Sequence, residues 1–243
     1  MKRPSPAFGL ASRWVFDGMK RMKRLAQKLE ESPMLARVLP FAVFLGLTVG
    51  QGLFGSAGRY WMYLAKTAVG LWLVWLTRRY VREMRWKLSW EAVVAGVAVF
   101  AVWVGLNDSY PKLGGAGPAW NPNDRFGDAS ALALLFIAVR ILGSTFVVPP
   151  IEEVFYRSFL YRYLVKNDFL SIPLGAFAWM PFLATSAVFG FAHFEWLAGV
   201  LCGLAYQGLV CWRKRLGDAM TAHAVTNFLL GLWVVSRGAW QFW

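Results

Sequence analysis

Carboxylates are scarce in this chain: 13 Asp and Glu stand against 26 Lys and Arg in 243 residues, for a formal net charge of +13. An excess of that size fits a nucleic-acid binder only if the basic residues form a stripe on one soluble surface, interleaved with aromatics. Here they lie between long apolar runs, so that class is excluded and no nucleic-acid partner is expected. Cysteine is scarcer still. Cys202 and Cys211, the only two, lie nine positions apart in one apolar run. They are too far apart along a helix to bridge and have no metal-ligand spacing; both read as packing residues. Internal repeats and low-complexity tracts are absent. From Met1 to Ser32 there is no apolar core followed by a small-residue cleavage site, so no cleavable signal peptide is expected.

What the chain has in abundance is apolar and aromatic surface, with 58% hydrophobic residues and 14 tryptophans. That is well above the usage of a water-soluble domain, and the solvent implied for much of it is lipid. Apolar segments run approximately from Leu39 to Phe54, Trp61 to Leu76, Trp90 to Leu106, Ala131 to Val148, Ile172 to Phe191, Leu197 to Trp212 and Ala219 to Val235. About 20 apolar residues span a bilayer. The expected fold is therefore an all-α polytopic transmembrane bundle of seven segments, with an eighth helical piece from Pro150 to Val165.

The loop after the second segment holds Arg78, Arg79, Arg82, Arg85 and Lys87. That after the fourth holds Arg157, Arg162 and Lys166, and that after the sixth holds Arg213, Lys214 and Arg215. The positive-inside rule places all three in the cytoplasm, together with the N-terminus. Asn107 to Ala129, rich in Gly, Pro, Asn and Asp, is expected to be an irregular loop on the other side. Two divisions follow. Residues 1–33 form a basic segment in which Trp14, Val15, Phe16, Met19 and Met22 oppose lysines and arginines, suited to a helix on an anionic membrane surface or else to a disordered tail. Residues 34–243 form the membrane domain. Trp61, Trp90, Trp196 and Trp212, at segment ends, read as interfacial anchors.

Polar residues inside the apolar segments carry the chemical information. Pro149-Pro150-Ile151-Glu152-Glu153-Val154-Phe155-Tyr156-Arg157 follows an apolar run directly, and proline at a first helical position commonly begins a helix. Both glutamates then fall in its first turn. Glu153 and Arg157, four apart, are placed to pair, while Glu152 points about 100° away around the axis. One carboxylate is then neutralised and the other is free to act as a general base. The competing reading is a solvated helix start. The chain has only two histidines, and both lie in apolar surroundings. His193 ends the fifth segment, and His223 shares a helical face with Asn227 in the seventh. A membrane histidine or asparagine can simply join helices. Ionisable groups at bilayer depth are costly, however, and normally face a bundle interior or a wet cavity. If the helices converge, a carboxylate and an imidazole can activate water, and an imidazole N–H and an amide can donate to an oxyanion. Glu195, Tyr206 and Gln207 take bland roles: Glu195 at the outer interface, the other two in bonds between helices.

Glu152-Glu153-x-x-x-Arg157, Phe189-x-x-x-His193 and His223-x-x-x-Asn227 resemble, in order and spacing, the motifs of the CPBP (Abi) family of intramembrane proteases related to type II CAAX prenyl endopeptidase. The resemblance covers roughly the last 110 residues, with the motifs inside 149–230. It implies a glutamate-type endopeptidase of the bacterial inner membrane, without metal or other cofactor, acting on a membrane protein or peptide. It further implies Glu152 as the base activating water, assisted by His193, an oxyanion site of His223 and Asn227, and Glu153 and Arg157 holding their helix in place. Small size and aromatic richness resemble the exosortase-associated branch, which would make an exosortase system a partner. Three other readings remain open: a non-enzymatic scaffold or immunity partner of the same fold, a zinc site of two histidines and a glutamate, and a transporter. The spacing lacks His-Glu-x-x-His, and no repeat symmetry supports transport.

Overall fold

The computed structural model describes residues 6–114 and 119–243, with side chains omitted for residues 6–17 and Ser56. The readings made on Trp14, Val15 and Phe16, and on residues 115–118 of the irregular loop, lie outside what is described. Every regular element among the described residues is helical. In chain order these are α1 (Pro6–Glu31), α2 (Pro33–Gly50), α3 (Gly55–Thr77), α4 (Trp90–Gly105), α5 (Pro122–Phe126), α6 (Ala131–Phe146), α7 (Val148–Glu153), α8 (Tyr161–Val165), α9 (Trp179–Phe191), α10 (Trp196–Arg213) and α11 (Leu216–Arg237). A π-helical stretch, Val154–Leu160, joins α7 to α8.

Each of the seven apolar segments contains a helix, and the fold is an all-α bundle. By length and composition, Pro33–Phe54, Ala131–Val165 and Leu216–Arg237 suffice to cross a membrane, with Trp90–Gly105 and Trp179–Phe191 apolar but shorter. Side chains facing outward are greasy. Trp61, Trp90 and Trp212 are exposed, as anchors in an interface would be, while the Trp196 indole N–H donates to Pro111 O at 2.9 Å. Serines cap three of the helices: Ser32, Ser89 and Ser130 accept from the backbone N–H of Leu35, Ala92 and Ala133, satisfying donors that a helix start otherwise strands.

Two expectations need correction. The fifth segment is helical only from Trp179. Pro173 and Gly175, the latter at φ +78, turn the chain first. This turn packs on the end of α10, where Lys214 Nζ donates to Gly175 O at 2.7 Å, and on α8, where the Tyr161 hydroxyl donates to Ala176 O at 2.8 Å. Arg157 and Arg162, assigned by sequence to a cytoplasmic loop, lie instead within the helical run and are buried. Both are consumed by ion pairs.

The basic loops gather at one end. Arg37 and Arg162 converge on Glu83, at 2.7 and 2.9 Å, Arg213 pairs with Glu91 at 2.7 Å, and the buried Asp218 takes Arg215 and the Ser89 hydroxyl. Of the N-terminal segment, α1 is helical to Glu31, Leu29 is buried against the bundle, and Met19 and Met22 are exposed.

Candidate functional site

The helix carrying the two glutamates starts at Val148, before both prolines, so neither glutamate lies in its first turn. The reason is local: prolines can occupy the opening turn because their missing N–H groups have no partner there anyway. Glu152 and Glu153 thus stand a turn deeper, at the junction with the π-helical stretch. Widened turns of that kind recur at functional sites.

Glu153 is fully buried and held from two directions. Arg157 Nε approaches Oε2 at 3.2 Å, the pairing expected from their spacing, though without hydrogen-bond alignment. His223 Nδ1 meets Oε1 at 2.9 Å. The second contact, across 70 positions of sequence, was not anticipated. It fixes the imidazole: Nδ1–H donates to the carboxylate, leaving Nε2 toward the cavity. The His223 ring is sandwiched by Tyr206, stacked at 5.3 Å, and Phe189, edge-on at 6.1 Å. The Tyr206 hydroxyl donates to Thr226 Oγ1 at 2.7 Å, joining α10 to α11 as expected. Gln207 instead stays within its own helix, with its amide against Cys211 Sγ at 3.6 Å.

His193 follows the end of α9. Its Nδ1 lies 2.7 Å from Phe189 O, one of the carbonyls that a helix C-terminus leaves unpaired. A carbonyl can only accept, so Nδ1 carries the hydrogen and Nε2 keeps its lone pair. Phe189 lies against both imidazoles and carries the Arg157 guanidinium at 4.4 Å on its face. Asn227 Nδ2 donates to Ser144 O at 2.8 Å, which fixes the amide and leaves its second N–H.

Glu152, His193, His223 and Asn227 all line one cavity of about 190 Å³. The Glu152 Oε2 atom is buried and has no hydrogen-bond partner. The structure therefore brings these four together, with Glu153 and Arg157 just behind. Among the described residues, no three His, Cys, Asp or Glu side chains are grouped as a metal ion would require. Glu195, given a bland role at the outer interface, is buried and lines the same cavity. Burial pushes its carboxyl above the ordinary value, partly opposed by its own backbone hydrogen bond, His193 and Lys112. Sequence reasoning also passed over Arg140, another wall of the cavity. The signal was present, since an arginine in the middle of an apolar run is by default a functional candidate.

The fold is that of a polytopic α-helical membrane protein whose interior hollow is lined by carboxylates and imidazoles. Residues 133–229, from α6 into α11, match the family described as Type II CAAX prenyl endopeptidase Rce1-like. Over that stretch the CPBP resemblance is borne out; no particular branch is distinguished. The matched stretch contains all four cavity residues. No curated protein and no solved structure matches the chain.

Proposed function

We propose that the protein is an intramembrane endopeptidase that hydrolyses a peptide bond of a membrane-associated protein or peptide, using water activated by Glu152. The observation that carries this reading is the convergence of Glu152, His193, His223 and Asn227 on one cavity inside the family-matched stretch. Glu152 has an unengaged buried oxygen, as a base needs. Water between it and His193 Nε2 loses a proton and attacks the carbonyl carbon. The remaining Asn227 N–H donates to the oxygen that becomes negative, joined by the Nε2–H of His223 in its doubly protonated form, with Nδ1–H kept on Glu153. The proton passes to the leaving amine, completing hydrolysis. Glu153, Arg157 and Phe189 act through His223 and the helix rather than on substrate.

In this reading no metal takes part, residues 34–243 are the protease domain, and residues 1–33 are a cytoplasmic segment at the membrane surface. The inner membrane of a bacterium is the location that the family resemblance implies, and the positive-inside rule puts the basic end inside. Glu152→Ala and His193→Ala, each purified and shown by unfolding to be intact, are expected to lose cleavage of candidate membrane substrates. Full activity in either would end the mechanism. A wild type that never cleaves, yet exerts its cellular effect unchanged as Glu152→Gln, would favour a scaffold. Activity lost to a chelator and restored by zinc would replace glutamate-type by metal catalysis.

A further inference from the structure

The two ends of the bundle are built differently. At one, ion pairs tie down the basic loops: Arg37 and Arg162 to Glu83, Arg213 to Glu91, and Arg215 to Asp218. At the other, the loop after α4 docks on the turn before α10. There the Leu113 N–H donates to Phe194 O at 3.2 Å and the Ala198 N–H to the Tyr110 hydroxyl at 3.3 Å. The chain end joins that side, with the Trp243 ring 5.8 Å from that of Trp120.

The cavity that holds Glu152 reaches the second end. Trp103 in the last turn of α4, Glu195 before α10, and Phe242 and Trp243 all line it. Among the described residues, none from the basic loops does. Toward those loops the cavity is plugged. One helical turn from Glu152, Tyr206 and His223 in that direction stand Tyr156, Val210 and the neighbours Ala219 and Met220, all buried in one apolar cluster with Leu216. The ion pairs of Glu83 and Asp218 lie beyond that layer. Ionisable groups at bilayer depth normally face water, and about 190 Å³ with a partly polar lining has room for it. With one end plugged, water and any peptide arrive from the other.

We infer that the site is served from the face opposite the basic loops, and that its substrate is an exported or membrane-anchored polypeptide whose cleavable bond lies on that face. The substrate half of this inference rests on the endopeptidase reading, and the positive-inside rule makes that face the non-cytoplasmic one. A cytoplasmic segment would have to displace Tyr156 and Met220 from the core before reaching Glu152.

The test uses the full-length chain with Cys202→Ala and Cys211→Ala, so that a single introduced cysteine reports. Ser144→Cys puts a thiol on the cavity wall with little change of volume, and Leu230→Cys, on the same wall, is the second reporter should the first not fold. Ser109→Cys and Arg82→Cys, both at exposed positions, mark the two faces. Right-side-out and inverted membrane vesicles from one bacterial culture are treated with the membrane-impermeant cation trimethylammonioethyl methanethiosulfonate, and labelling is read from the intact mass. The wall cysteine is expected to label in the vesicles that label Ser109→Cys and to lose labelling in those that label Arg82→Cys. Labelling together with Arg82→Cys would overturn the inference, as would labelling in neither preparation, which leaves only a path from the lipid. The markers define the faces and no cleavage is needed, so this result is separate from the role of Glu152. A candidate membrane-anchored peptide added from outside should in turn be cut by wild type only where the Ser109 face is outward. Equal cutting in both preparations would overturn the substrate assignment, whereas cutting in neither would count against the endopeptidase reading and leave the labelling result standing.

Discussion

Adjacent glutamates meet opposite fates. Glu153 is enclosed between a guanidinium and an imidazole, whereas Glu152 presents a buried oxygen with no hydrogen-bond partner. The same conservative change should therefore separate them. Glu153→Gln leaves Arg157 buried with its counter-charge removed, and is expected to cost about 3–5 kcal/mol. Glu152→Gln should cost about 1 kcal/mol or less. Denaturant or thermal unfolding of the two variants checks this, and an equal loss would contradict the division of roles. The Glu153–Arg157 pair was legible because four residues make one helical turn. The His223–Glu153 contact was not, since nothing in local spacing links residues brought together only by the packing of α11 on α7.

At the scale of elements, α9 and α10 approach closely through small residues. A Cβ added at Gly203 would lie 2.8 Å from Ser186 Cα, and one at Gly199 2.9 Å from Gly190 Cα. Those neighbours are backbone and cannot step aside. Small residues allow such approach where lipid supplies no hydrophobic drive between helices. Gly203→Ala should thus destabilise the bundle by about 1–3 kcal/mol and shift α9, with His193 at its end, so that turnover falls as well. An unchanged melting point would show that the helices are free to separate. The apolar periodicity announced these helices, but not where α9 begins. A run that reads as continuous from Ile172 is turned aside by Pro173 and Gly175, which the end of α10 holds in place.

Over the whole molecule, the basic loops after α3, α8 and α10 gather at one end, yet the arginines do more than mark a side. Glu83 gathers Arg37, Arg162 and the Ser158 hydroxyl, tying α2 and the loop after α3 to the stretch that carries the glutamates. Burial alone would push the Glu83 carboxyl up, but Arg37 and the hydrogen bonds from Ser158 and Arg37 outweigh it and hold the group below the ordinary 4.5. A lowered carboxylate contributes stability that is complete above 4.5 and is lost as pH falls through the folded value. Wild type should therefore lose stability below about pH 4.5, while Glu83→Gln, weaker at neutral pH, should show less of that decline when melting points are compared across pH. A parallel decline in both would remove Glu83 from the account. The network was invisible in sequence because its members, in separate segments, read singly as cytoplasmic charges.

The claim on which the rest depends is that Glu152 makes a water molecule the nucleophile. Proteoliposomes holding wild type or Glu152→Gln, supplied with membrane-anchored peptides in ¹⁸O-enriched water, test it by mass spectrometry of the fragments. One heavy oxygen in the new C-terminal carboxylate, from wild type alone, is the predicted result. Cleavage by Glu152→Gln at the wild-type rate, or fragments without the heavy atom, would contradict it.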